Sequence, residues 1–324
     1  MMRPAQHLKT LPWLLLAVLF LAWALVSVVL DPYGEFERFP GKRYFENHQT
    51  SPYRLGEQLR NGSHALVFGT SYSATLSGEE LGEPTLNLST SVYGFPACME
   101  CFVQGLDEEQ WKGVSRVYLL ADAHLIAAPP DEPCPRAWSN APAFYWATFR
   151  NIDQTKILRG LDRWAKNAKG TPANWVTSQG VTVYGTEAAW DGKGYATEYT
   201  DDAAALASLT RAAGIIRAHG KEFVPFFTLR SEAFWQATDP GVLRRQLRMA
   251  IQAVGPLVML GWHKDYSRRK EWFRDAAHHG LEGTRWEASV LKDPVARKAW
   301  LLDEKGVDAW VDRSVKELKV KAPL

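Results

Sequence analysis

The sequence predicts an α/β fold: a flavodoxin-like parallel sheet of about five strands with helices on both faces, preceded by an N-terminal transmembrane helix. Three observations predict it. Short apolar runs alternate with helical patterns along the chain, as they do where crossover helices cover a parallel sheet. The runs are continuous in their apolar character, which is what strands buried on both faces look like. Residues 11–30 carry no charge over ~20 positions, enough for one bilayer crossing as a helix.

Taken in order, Arg3 and Lys9 precede the uncharged run, and Asp31, Glu35 and Glu37 follow it. The positive-inside rule then puts residues 1–10 in the cytoplasm and the bulk of the chain outside, at the periplasmic or extracytoplasmic side of the inner membrane. A cleaved signal peptide is the competing reading, with Ala22, Trp23 and Ala24 imitating a cleavage site. The uncharged stretch continues six residues past Ala24, which favours a retained anchor over 11–30. Residues 31–63 form a connector with a short amphipathic helix at 54–60.

Strands are expected at 65–70, 85–89, 115–121, 222–228 and 256–262, and helices near 97–110, 202–219 and 240–253. The helix from 202 shows the logic. Thr200, Asp201 or Asp202 can cap it, Leu206, Leu209, Ala213 and Ile216 recur at helical spacing, and Gly220 ends it. An insertion at about 125–199 interrupts the rhythm after the third strand, with a helix expected at 155–168. Leaving the carboxyl edge of that strand, it should lie over the site as a lid or substrate-binding cap. The tail at 306–320 reads as an amphipathic helix with Val307, Trp310, Val311, Val315 and Leu318 on one side.

The 324 residues allow one large domain with a sizeable core. Net charge is +2, from 38 basic and 36 acidic residues without a long run of one sign, so nothing argues for a nucleic-acid partner. The 14 tryptophans leave two uses open: filling cores and interfaces, or stacking on sugar faces.

An extracytoplasmic domain lives where disulfides persist. Cys98 and Cys101 sit where a helix should open after the second strand, and Cys134 lies in the loop after the third, so both places share one sheet edge. A bridge from Cys134 to one member of the pair, Cys98 by preference, is the expectation. A single Cys-x-x-Cys without a second pair argues against zinc, and no metal or cofactor is called for.

The chemistry gathers around Ser71. Leu66, Val67 and Phe68 form a buried-strand run that breaks at Gly69 and delivers Thr70 and Ser71 at the carboxyl edge, where open α/β sheets build their sites. A serine hydroxyl becomes a nucleophile when an imidazole takes its proton and a carboxylate orients that imidazole. Asp275 and His278, three residues apart, offer both from one loop. His279 and His263 are alternative bases and Ser73 a fallback nucleophile, while Asp122 with His124 forms a second acid–histidine pair at the same edge. The ordinary reading of each remains open: Ser71 as a helix cap, Asp275 as a helix-terminal acid and His278 as a solvated loop residue.

Gly69, Thr70 and Ser71 near the start of the folded part, with Asp275 and His278 near its end, resemble the first and last blocks of the SGNH (GDSL-like) hydrolase superfamily. Leu30, Asp31, Pro32, Tyr33 and Gly34 after a membrane segment, then Leu86, Asn87, Leu88 and Ser89, are similar to its membrane-anchored bacterial branch associated with cell-envelope and exopolysaccharide modification. The resemblance covers roughly residues 30 to 280 of an SGNH-like domain at 64–324. It implies a Ser71–His278–Asp275 triad that moves or removes an acyl group, acetyl first, on an envelope or secreted polysaccharide, beside acyl-transfer or polysaccharide-export machinery. The amides of Ser71 and Gly94 become the family-like oxyanion donors, with Asn87 as a third, and Asp122 with His124 a secondary base pair. Thr70 stands where the family has aspartate, and no Gly-x-Asn-Asp block follows the third strand. Those departures define the rival reading, a non-catalytic polysaccharide-binding or scaffold subunit of an envelope assembly.

Overall fold

The computed structural model describes residues 5–30, 52–89, 96–122, 175–176, 181–183, 190, 192–193 and 202–319. Its centre is a six-stranded sheet in the order β2-β1-β3-β6-β7-β8. The strands are β1 (His64–Phe68), β2 (Thr85–Asn87), β3 (Val114–Leu120), β6 (Glu222–Phe227), β7 (Leu257–Met259) and β8 (Leu301–Leu302). The first five run parallel, in the order that flavodoxin-like doubly wound sheets use. The sixth was not expected from the sequence. β8 is two residues long and pairs antiparallel to β7, too short a run to carry a periodic signal.

The central strands β1 and β3 are apolar because they are covered on both sides. Ala65, Leu66, Val67 and Phe68 of β1 are fully buried, as are Val117, Tyr118, Leu119 and Leu120 of β3. β1 lies between β2 and β3, in the interior of the sheet, as the continuous run predicts. The chain leaves β1 toward one edge and afterwards moves steadily toward the other. Right-handed crossovers therefore send its helices to opposite faces. α3 (Gly78–Leu81) packs against α9 (Leu281–Lys292). α4 (Pro96–Gly105), α6 (Ala203–Ala218), α8 (Pro240–Val254) and α11 (Val307–Lys319) pack successively in a row.

Local signals explain most boundaries. Asp202 caps α6 through the amides of Ala204 and Ala205, and Asp239 caps α8 with Pro240 in its first turn. The single helix expected near 97–110 is two, because Asp107 begins α5 (Glu108–Lys112) with a capping box that it completes with Gln110. α11 buries Val307, Trp310 and Val311, the face that its periodicity marks. In the connector, α2 (Pro52–Asn61) buries Leu55 and Leu59. Shorter helices, α7 (Glu232–Ala237) and α10 (Pro294–Ala299), were not foreseen, being about one and a half turns each.

α1 (Ala5–Leu30) is a continuous helix of 26 residues whose Leu11, Trp13, Leu14 and Leu21 are more than 60% exposed. Among the described residues no helix is long and apolar enough to cross a membrane. The helix expected over 11–30 is therefore present, but it does not qualify as a membrane-crossing one among the described residues.

Most of the insertion, including the helix expected at 155–168, lies outside the described residues. Its described parts include β4 (Trp175–Val176) and β5 (Thr182–Val183), a small antiparallel pair. Thr182 donates its amide to the Ala74 carbonyl at 2.8 Å, and Trp190 meets the Phe273 ring edge-on. The insertion thus touches the segment after Ser71 and the segment before Asp275.

Candidate functional site

β1 and β3 are adjacent, and the chain leaves them toward opposite sides, which makes their carboxyl ends the switch point of the sheet. Gly69 follows β1 with φ +152°, and a Cβ there would fall 2.7 Å from the Leu120 Cβ of β3. Only glycine lets the backbone turn this close to the neighbouring strand. The turn delivers Ser71 to the surface at the start of a 3-10 turn, Ser71–Ser73.

Ser71 Oγ lies 2.9 Å from His278 Nε2, and His278 Nδ1 lies 2.7 Å from Asp275 Oδ2. An ionised carboxylate only accepts, so His278 Nδ1–H donates to Asp275; in the neutral imidazole Nε2 is then the bare nitrogen, and the Ser71 hydroxyl donates to it. Asp275 Oδ1 accepts the amides of Ala277 at 2.8 Å and His278 at 2.9 Å. Burial alone would raise the Asp275 pKa. The His278 hydrogen bond and charge, with the two backbone amides, outweigh it and hold the carboxyl well below the usual carboxylate range. Asp275 is therefore ionised at neutral pH, as an orienting carboxylate has to be.

The other sequence candidates sort by what holds them. Ser73 is fully buried and donates to Ser89 Oγ at 2.8 Å, so it is a structural hydroxyl and not a fallback nucleophile. Asn87 is also corrected: its Nδ2 donates to the carbonyls of Ser73 and Leu76, both at 2.8 Å, and its Oδ1 accepts the Ser89 amide. With both amide protons committed, Asn87 ties down the turn after Ser71 and cannot serve as an oxyanion donor. The Ser71 amide has no acceptor within its turn, whose first hydrogen bond is Ser73 N–H to the Thr70 carbonyl. Gly94, His124 and Cys134 lie outside the described residues.

His279, next to the relay, points the other way. Its Nε2–H donates to the Leu229 carbonyl at 2.6 Å, and the ring is 3% exposed. Burial pushes its pKa down to about 4. Beside it the carboxyl of Glu287, which accepts from Thr228 Oγ1 and the Leu229 amide, is pushed up to about 7 by burial. His263 stacks on Tyr266, with ring centroids 4.2 Å apart, and burial lowers its pKa. Neither is a base for Ser71.

Asp122 is 2% exposed and forms a 2.9 Å salt bridge with Arg230, while Thr70 Oγ1 reaches it at 3.4 Å. Thr70, where the resembled family has aspartate, here faces a carboxylate supplied by β3. Arg230 and Tyr72 were missed by the sequence reading. Arg230 lies 3.7 Å over the Tyr72 ring, and the same ring also meets His278, at 4.5 Å between centroids. A signal existed: the apolar run of β6 is followed by Thr228, Leu229 and Arg230, as that of β1 is followed by Gly69, Thr70 and Ser71.

The disulfide expectation needs one change. Cys101 is disulfide-bonded and Cys98 takes no part in a disulfide. Cys98 faces the core of α4 at 2% exposure, whereas Cys101 is half-buried. Among the described residues no cluster of His, Cys, Asp and Glu is arranged to hold a metal ion.

Comparison with family models, with curated proteins and with solved structures finds no match for the chain. Fold and site define it as a mostly parallel α/β domain with a Ser–His–Asp relay at the switch point of its sheet.

Proposed function

We propose that the protein is an SGNH-like serine esterase or O-acyltransferase, and the single observation carrying this is the Ser71–His278–Asp275 relay. Ser71 Oγ attacks the acyl carbonyl as His278 Nε2 takes its proton. The imidazolium, stabilised by Asp275, passes that proton to the leaving alcohol and leaves an acyl-Ser71 ester. Water or a sugar hydroxyl then attacks this ester, gives its proton to His278, and Ser71 is restored. In this reading the Ser71 amide is one donor to the developing oxyanion.

The substrate in this reading is an O-acylated, most simply O-acetylated, envelope or secreted polysaccharide. Supporting it is the uncharged run at 11–30, with basic residues before it and acidic residues after, the charge pattern expected of a single-pass anchor that carries its domain outside the inner membrane. The described parts of the insertion, touching both site-bearing segments, suit a cap over a polymer. The test is turnover of p-nitrophenyl acetate and of an acetylated polysaccharide by the purified chain, with Ser71→Ala as control. Equal rates in the two proteins would remove the enzymatic reading. The commitment of Asn87 to the backbone favours one rival, a polysaccharide-binding scaffold without turnover; it predicts polymer binding and no release of acetate.

A further inference from the structure

Arg230 belongs to no part of the relay, yet it touches every segment that carries it. It is 1% exposed, and its buried charge is answered through its two terminal nitrogens, while Nε has no hydrogen-bond partner among the described residues. Nη2 donates to Asp122 Oδ2 at 2.9 Å, just past the end of β3. Nη1 donates to the Ala277 carbonyl at 2.8 Å, and the neighbouring Ser231 donates Oγ–H to the Ala276 carbonyl at 2.7 Å. Ala276 and Ala277 are the two residues between Asp275 and His278, so both carbonyls of the spacer are held from this one point. The flat face of the guanidinium covers Tyr72, which follows Ser71 and contacts the His278 ring. Phe234, 5.2 Å away, walls the same pocket.

We propose that Arg230 is a positioning residue for acyl transfer. It clamps the Ser71–Tyr72 turn to the Asp275–His278 loop, so that the 2.9 Å Ser71–His278 contact stands ready before substrate arrives. The inference rests on the acyl-serine reading. Lysine at this position keeps a charge but not the fork that reaches Asp122 and Ala277 together, nor the flat face on Tyr72.

The test uses the purified full-length chain, p-nitrophenyl acetate as probe, and proton NMR of the far-downfield His278 Nδ1–H signal, with Ser71→Ala as control. A misplacement near 1 Å costs about 100-fold in rate, so Arg230→Met should lower kcat by about that factor with KM within about twofold, and should broaden or remove the Nδ1–H signal. Arg230→Lys should recover about a tenth of the lost rate. Asp122→Asn, which leaves the arginine and its aromatic neighbours in place, should lower kcat about tenfold with KM unchanged, and supplies the answer if the Arg230 variants do not fold. Folded Arg230→Met, or folded Asp122→Asn, with wild-type kcat and an intact signal overturns the clamp. If Ser71→Ala retains turnover, the acyl-serine reading fails separately, and the NMR signal in the Arg230 variants still decides whether the clamp orders His278.

Discussion

The two edges of the sheet use the same charged groups toward opposite ends. At the amino edge, Arg116 pairs with Glu83 at 2.8 Å and with Glu222 at 2.5 Å, Arg297 also reaches Glu222, and the Tyr118 hydroxyl joins them. Each of these four charges is paired within the network, though one buried nitrogen, Arg297 Nη1, has no hydrogen-bond partner among the described residues. At the carboxyl edge, Asp122 and Arg230 form a closed pair as well, but beside it Asp275 and His278 lead outward to a hydroxyl that is exposed. A closed network holds strands in register. An open relay, with its last proton at the surface, can act on something that arrives.

The comparison breaks most decisively at the relay. Ser71→Ala, His278→Ala or Asp275→Asn should each cut acyl turnover by about 10⁴-fold or more, and the double variant Ser71→Ala/His278→Ala should be hardly slower than either single one, because the groups act as a unit. Stopped-flow or endpoint ester assays check this. His279→Ala and His263→Ala should keep their chemistry wherever they fold, since neither ring faces Ser71.

Smaller in rate but large in stability is the tie under the turn. Asn87→Ala leaves the Leu76 carbonyl and the Ser89 amide without this partner in a buried place, while the Ser73 carbonyl keeps the Leu76 amide, and should cost about 3 kcal/mol, at about 1–3 kcal/mol per orphaned group with partial relaxation. Urea denaturation reads it as a lowered midpoint.

Comparable in size is the pH behaviour of Glu287. Its folded pKa of about 7 lies above the ordinary ~4.3 of the unfolded chain, so folding retains a proton that the unfolded state has lost. The resulting stabilisation is complete below ~4.3 and is lost as pH rises through about 7. Between those limits wild type should lose stability relative to Glu287→Gln, which has no such proton, and urea midpoints of the two proteins at several pH values measure the gap.

The smallest effect belongs to the closed amino edge. Arg116→Met removes contacts to groups that are themselves part-exposed, with 21% exposure for both Arg116 and Glu83 side chains, and should cost only about 1 kcal/mol with turnover unchanged.

What the sequence made legible follows from how far each signal reaches along the chain. The parallel sheet and the interior place of β1 follow from continuous apolar runs and their order, which are properties of neighbouring residues, whereas the pairing of Ser71 with Asp275 and His278 was legible from their residue types, the three-residue spacing of the acid and the histidine, and the resemblance. The fate of Asn87 and Ser73 was not legible, because both depend on which carbonyls the turn after Ser71 aims inward. Nor was the role of Arg230. Its partners Asp122 and Ala277 lie 108 and 47 residues away, and no spacing rule links positions so distant. Two neighbouring histidines, His278 and His279, have opposite roles for a similar reason: alternate residues of a short extended loop face opposite sides, and the sequence does not say which side holds Ser71.

The central claim is that Ser71 is a nucleophile activated by His278, and covalent capture tests it most directly. The full-length chain is treated with a fluorophosphonate, digested and mapped by mass. The account predicts one phosphonylated peptide, modified at Ser71, formed at a rate that falls by about 10³-fold or more in His278→Ala, since the hydroxyl then has no base to take its proton. Absence of labelling on Ser71, or labelling that proceeds equally fast in His278→Ala, would contradict it.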